Sequence, residues 1–231
     1  VINETAEGAV GDPSIVFVDN CSSLVDAGWT IDVPYTGAYI TDSANTNGNP
    51  NNVTLKTVPE GQYLFYGDKV GSDTRKYVAM TKNAVIGSGA WELNFDARFV
   101  DLMTPAAAQV YRGLSFEVFA NKVEYKITFN AKNKILAMTN ASSGAYLEKT
   151  VAMPTDENFH NWSILYDGGN KVSVRLEGVT VATFENIGLT ATIGDCVKIL
   201  NAPLNWADGT TEVYIDNISM KQILQDPNVP I

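Results

Sequence analysis

The stretch Trp91-Glu92-Leu93-Asn94-Phe95-Asp96-Ala97-Arg98-Phe99 alternates apolar and polar residues without a slip. Successive side chains of an extended chain point to opposite faces. The spacing therefore predicts a strand that packs Trp91, Leu93, Phe95, Ala97 and Phe99 on one side and turns Glu92, Asn94, Asp96 and Arg98 to water. The same period of two continues outward through residues 114–118 and 123–129, with Ala120-Asn121-Lys122 between them as a tight hairpin connection. Further runs follow at 134–139, 146–151, 162–166, 172–177, 179–184, 196–201 and 212–220, punctuated by turn sequences at 140–144, 167–170 and 207–210. No stretch of a dozen residues holds a helical period. A dozen or so short strands at this spacing predict an all-β fold, a two-sheet antiparallel β-sandwich.

Composition sets the limits of function. The 231 residues are 45% hydrophobic and 18% charged, enough apolar material for one core and too little charge for a disordered chain. With 16 Lys and Arg against 26 Asp and Glu, the net charge is −10, so no basic face is expected that could neutralise nucleic-acid phosphates. No apolar run reaches the roughly 18 residues that cross a bilayer. The sandwich domain is expected over residues 12–222, with 1–11 and 223–231 as an arm and an extension or linkers to further domains. Many Asn, Thr, Tyr and Gly with an acidic balance lead us to expect an exported protein, extracellular, periplasmic or at a cell surface. Asn-x-Ser/Thr sequons begin at Asn3, Asn20, Asn52, Asn140, Asn161 and Asn217.

Cys21 and Cys196 allow one intramolecular bridge, or two unpaired buried thiols. Zinc is not expected, because His160 is the single histidine and there is no Cys-x-x-Cys.

One region carries a resemblance. A strand beginning His160-Asn161-Trp162 is followed by a tight turn at Asp167-Gly168-Gly169-Asn170, a strand ending near Gly178 and a return strand to Phe184. This pattern resembles the concanavalin A-like lectin/glucanase superfamily, including its laminin-G-like modules. Asp19-Asn20 and the run from Val213 to Met220 look like the opening and closing strands of such a jelly roll, which lie side by side. The resemblance implies a jelly-roll sandwich over about residues 14–221 and a protein that binds glycans or cleaves them. It also implies a calcium ion where first and last strands meet, with Asp19 and Asp216 as candidate ligands. His160 is structural in that pattern.

The cleavage motifs are not met. The Glu-x-Asp-x-Glu strand of family 16 glycoside hydrolases has its nearest match in Glu92-Leu93-Asn94-Phe95-Asp96, where Asn94 and Asp96 replace the second and third carboxylates. The Arg-x-Glu-Leu-Arg and Gln-Ile-His strands of related alginate lyases are missing from the sequence. The expectation is therefore a non-catalytic polysaccharide-binding module of an exported glycan-recognition or glycan-processing system. Sugar C–H faces stack on flat aromatic rings, while amides and carboxylates take the hydroxyls. The candidate binding residues are Trp206 with its neighbours Asn205 and Asp208, and Tyr35 and Tyr39 beside the polar stretch 37–52. Two alternatives remain open: a glycoside hydrolase or lyase drawing its carboxylates from Glu92, Glu117 and Glu124, and a structural or adhesive laminin-G-like domain that binds protein.

Overall fold

The computed structural model describes residues 15–32, 39–41, 53–67, 78–102, 113–130, 133–201 and 211–223. These form seventeen strands: β1 (Ile15–Asp19), β2 (Thr30–Asp32), β3 (Tyr39–Thr41), β4 (Val53–Val58), β5 (Gln62–Gly67), β6 (Val78–Asn83), β7 (Trp91–Asp101), β8 (Leu114–Ala120), β9 (Val123–Phe129), β10 (Lys134–Asn140), β11 (Ala145–Thr150), β12 (His160–Tyr166), β13 (Lys171–Leu176), β14 (Val179–Glu185), β15 (Leu189–Thr190), β16 (Cys196–Asn201) and β17 (Thr211–Gln222). Nine make one sheet in the order β14-β13-β12-β7-β17-β5-β4-β3, with β1 also on β17. Eight make the other, β11-β10-β9-β8-β16-β6-β2, with β15 on β9. The pairing is antiparallel except between β3 and β4, which run parallel with Tyr39 opposite Thr54. The architecture is the all-β, two-sheet sandwich expected from the alternation, with the jelly-roll topology that the resemblance implies.

The two-residue hairpins follow from backbone chemistry. Asn121 and Lys122 both hold positive φ (50° and 65°), the conformation that matches the strand twist between β8 and β9. Glu177 and Gly178 (49° and 75°) do the same between β13 and β14.

The core lies where the two inner faces meet. Trp91, Leu93, Phe95 and Ala97 of β7 are buried, as their period requires. The Phe95 ring stacks on Phe116 of the facing sheet at 4.1 Å, and Phe129 meets Phe95, Phe116 and Trp162 edge-on. Aromatic contacts of this kind tie the sheets together, and truncating one such ring costs about 3–5 kcal/mol. Cys21 and Cys196 are both buried and both free, so the alternative of two separate thiols holds. Burial, the nearby Asp19 and the nearby Asp216 push the Cys21 thiol far up, and burial raises Cys196 to about 11.

β17 is the organising strand. Along one side it pairs with β7, and along the other with β5 in its first half and with β1 in its second. The change of partner coincides with a bulge between Asp216 and Ser219, where Asn217 adopts φ 49° and inserts one extra residue.

Candidate functional site

β8 is buried on both faces, and that decides where the site lies. Leu114, Phe116, Val118 and Ala120 belong to the core, so Ser115, Glu117 and Phe119 project to the opposite, outer face of the eight-stranded sheet. Register places Lys126 of β9 and Lys198 of β16 directly opposite Glu117 on its two sides. The carboxylate is 3% exposed and sits 2.8 Å from Lys126 Nζ and 3.5 Å from Lys198 Nζ. One step along, Ser115 and Thr128 share a side-chain hydrogen bond of 2.8 Å.

Glu124 stands diagonally from Glu117 on β9. Burial pushes its carboxyl above the ordinary glutamate range and the charge of Glu117 pushes it further, against the pull of Lys126 and Lys198. Two carboxyls thus share a surface in different surroundings, one ion-paired to two ammonium groups and one raised by burial and by its neighbour's charge.

A lip walls this surface. After β15 pairs with the start of β9, the Ala191 N–H donates to the Lys122 carbonyl at 2.8 Å. Gly188 permits the approach, since a Cβ there would come within 2.8 Å of Val123 Cγ1. Asp195 then anchors the return into β16: its Oδ2 accepts from the Ile86 and Gly87 N–H groups at 3.2 and 3.1 Å, and its Oδ1 from Asn121 N–H at 2.9 Å. Between strands and lip lies a groove of about 540 Å³, bounded by Glu117, Glu124, Lys126 and Lys198 with apolar ground from Phe119, Leu200 and Ile193. That volume and mixture suit an organic ligand with several hydroxyls.

The expected loop residues fall elsewhere in the chain. Tyr35, Asn205, Trp206 and Asp208 lie outside the described residues, and of Tyr39 the backbone in β3 is described. Glu117 and Glu124, named for the hydrolase alternative, do meet in one groove. Glu92 does not join them. It lies on the outer face of the other sheet, 2.7 Å from Lys221 Nζ and 3.7 Å from Arg175 Nη1. It is 8% exposed, not turned freely to water as its alternation suggests, because long cationic side chains fold over it.

Asp19 and Asp216 approach each other at the end of β1 and the bulge of β17, close enough that Asp19 and Asp96 raise the Asp216 carboxyl after burial has done so. Their surroundings do not fit calcium. Asp19 Oδ1 accepts from the Cys21 N–H at 2.8 Å, and Oδ2 accepts from Trp29 Nε1–H at 2.5 Å with the Tyr63 hydroxyl 2.9 Å away. Asp96 receives the Nδ2 groups of Asn161 and Asn217, each at 2.9 Å. Calcium requires 6–8 oxygen ligands, whereas both oxygens of Asp19 accept from hydrogen-bond donors, as does Asp216 Oδ1 from the Asn217 N–H at 2.7 Å. Among the described residues, no group of three His, Cys, Asp or Glu could hold a metal. The junction is a hydrogen-bonded corner that fastens the first strand to the last.

His160 is similarly structural. Its Nε2 lies 2.6 Å from Asp156 and its Nδ1 3.1 Å from Glu177, and these two carboxylates raise its pKa against the effect of burial.

No protein-family model matches the sequence, and no curated protein matches it. Solved structures match in fold. A carbohydrate esterase from the Shiga toxin-encoding bacteriophage phi24B superposes with a TM-score of 0.55 at 12% identity, over 90% of this chain and 98% of that one. An endo-1,3-beta-glucanase from Streptomyces sioyaensis gives 0.54 at 17% identity, over 90% and 95%. The binding domain of botulinum neurotoxin serotype D/C gives 0.52 at 11%, covering 93% of this chain and 50% of that chain, so the protein spans half of that structure's length. The chain has the jelly-roll β-sandwich fold of the lectin/glucanase type. That fold is shared by enzymes and by binding domains alike, so activity is argued from the groove.

Proposed function

We propose that the protein is a non-catalytic carbohydrate-binding module of an exported glycan-recognition or glycan-processing system, and that an oligo- or polysaccharide lies in the groove over β8, β9 and β16. The observation that carries this reading is the ion-paired floor. Glu117, Lys126 and Lys198 hold one another in fixed positions before any ligand arrives, so little side-chain freedom is lost on binding. Carboxylate oxygens accept from sugar hydroxyls and ammonium groups donate to them, while Phe119, Leu200 and Ile193 offer ground for the C–H faces. Trp206, Tyr35, Tyr39, Asn205 and Asp208 remain candidates for further contacts from loops. A chain of net charge −10 with this mixed-charge groove suits a glycan better than a nucleic acid.

Glu124, raised by burial and by the charge of the ion-paired Glu117, favours one second reading, hydrolysis with Glu124 as acid and Glu117 as the second carboxyl. In the binding reading both groups contact hydroxyls. The two separate in a glycan-array and polysaccharide-pulldown screen run beside reducing-sugar and unsaturated-product assays. Binding without product, lost in Glu117→Gln and kept in Glu92→Gln, supports the module. Product formation abolished by Glu124→Gln supports the hydrolase. No binding and no product overturns both and leaves a structural or adhesive domain.

A further inference from the structure

A second recess, of about 560 Å³, opens across the lip from the groove, between Gly87, the β8–β9 turn and residues 191–195. The two hollows share Ala191, Thr192 and Ile193, so the lip is a crest between them and not an outer boundary. Ile193 stands on that crest 47% exposed, an apolar side chain that lines both hollows. The recess is held by its backbone: the Ala191 N–H donates to the Lys122 carbonyl, and the Asp195 carboxylate accepts from the N–H groups of Ile86, Gly87 and Asn121. With Asp195 so engaged, the charged group left to face a ligand is the Lys122 ammonium. It is exposed and has no ion pair or hydrogen bond among the described residues, and the side-chain amide of Asn121 beside it has none either.

Lys122 is an unexpected turn residue. A two-residue hairpin turn with both φ positive favours Asn-Gly, and Asn121 suits its first position. Lys122 holds φ 65° at the second, where glycine is free of strain and an L side chain is not. A side chain kept at a strained position, and engaged by nothing in the fold, points to a ligand. The charges of the two hollows differ as well. The groove sets Glu117 and Glu124 against Lys126 and Lys198, whereas the recess offers one free cation with an amide and the Thr192 hydroxyl. We infer that this recess is a second subsite of the same glycan site and takes a sugar unit that bears a carboxylate. The carboxylate accepts from Lys122 Nζ and the Asn121 amide, and the C–H face of the sugar lies on Ile193. The same chain continues over the crest to uncharged, hydroxyl-bearing units in the groove, since a uniformly acidic chain would set carboxylates against Glu117 and Glu124. The inference rests on the glycan reading and adds to it the kind of chain, a heteropolysaccharide of acidic and neutral units.

Methyl β-D-glucuronide, its neutral counterpart methyl β-D-glucoside and sodium acetate test it, each titrated at about 0.15 M salt into the whole chain labelled for NMR. The expected result is saturable glucuronide-induced shifts of the Gly87, Lys122 and Gly194 amides, with the glucoside about fivefold weaker there and acetate weaker still. Lys122→Gly, which gives the turn its favoured Asn-Gly, removes the advantage of the glucuronide and leaves glucoside-induced shifts at Lys126 and Lys198 unchanged. Three results overturn the inference while those groove amides still answer to the glucoside: equal recess affinity for glucuronide and glucoside, equal affinity for glucuronide and acetate, or unchanged glucuronide affinity in Lys122→Gly. A recess that stays silent up to about 100 mM glucuronide overturns it as well. Groove amides silent to both sugars remove the glycan reading and the inference with it, so the two failures are read at different residues.

Discussion

Each sheet carries a buried glutamate held by two cations on its outer face, and the two differ in what surrounds them. Glu92 has Lys221 opposite it on β17 and Arg175 reaching over from β13. Burial pushes its carboxyl up, but Lys221, Ser163 and Asn94 outweigh burial and hold it below the ordinary range. Glu117 has a lysine opposite it on both neighbouring strands, a lip beside it and a second carboxyl within electrostatic reach. On the nine-stranded sheet the ion pairs stitch strands together. On the eight-stranded sheet the same device lies beneath a groove, beside a Glu124 whose carboxyl burial and the charge of Glu117 raise. An ion-paired glutamate is therefore no marker of a site by itself; what sets Glu117 apart is the wall beside it and the raised carboxyl of Glu124.

The largest expected contrast comes from removing each glutamate. Glu117→Ala leaves two partly buried lysines without their anion and is expected to cost about 3 kcal/mol in urea unfolding and to abolish glycan binding. Glu92→Ala, with more exposed partners, costs about 1–2 kcal/mol and leaves glycan binding unchanged. Equal losses in both readouts would break the contrast. Next, Glu124→Gln weakens glycan affinity about tenfold by calorimetry while the fold persists, since a neutral amide of the same shape replaces a carboxyl whose charged form burial already disfavours.

The pH dependence sharpens the same comparison. Glu124 has a raised folded value, so its contribution to stability is present in acid and is lost as pH rises through that value. Glu92 has a lowered folded value, so its contribution is present near neutrality and is lost as pH falls through it. Urea midpoints measured from about pH 4 to pH 7 should show Glu124→Gln gaining relative to the parent as pH rises and Glu92→Gln losing relative to it. The smallest effect belongs to the exposed version of the motif, His160 between Asp156 and Glu177. Its raised value means stability present below the ordinary histidine value and lost as pH rises through the folded one, so His160→Gln destabilises slightly at mildly acid pH and not at alkaline pH.

Strands were legible because one face packs and one does not. Residues 91–99 read as a single strand, and β7 begins at Trp91 and runs to Asp101. The groove was less so. Alternation sorts Ser115, Glu117 and Phe119 onto the polar side of β8, and an aromatic there is the local sign that this face is covered. Leu200 beside Lys198 on β16 is a second such sign. What no local pattern carries is that β16 lies between β8 and β6, which brings Lys198 to Glu117 from far along the chain. The bulge at Asn217 and the parallel pairing of β3 with β4 are hidden for the same reason, since both depend on which strand is the neighbour. Nor does any local pattern carry that Trp29, Tyr63 and the Cys21 amide donate to the oxygens of Asp19, the residue expected with Asp216 at a calcium ion.

The central place of β17 has a consequence for how the protein is made. β3, β4 and β5 form one part of the nine-stranded sheet, β7, β12, β13 and β14 form another, and only β17 joins them and seats β1. A ribosome delivers that strand about 110 residues after β7, roughly 5–20 s later at ~5–20 residues per second. Throughout that interval the nascent chain carries β5 and β7 with the edges that β17 has yet to cover, and β7 gains β12 on its other side only after residue 166. Such edges invite pairing with a neighbouring chain, so yield in the cell should depend on chaperone holding and on translation speed more than on the stability of the finished fold.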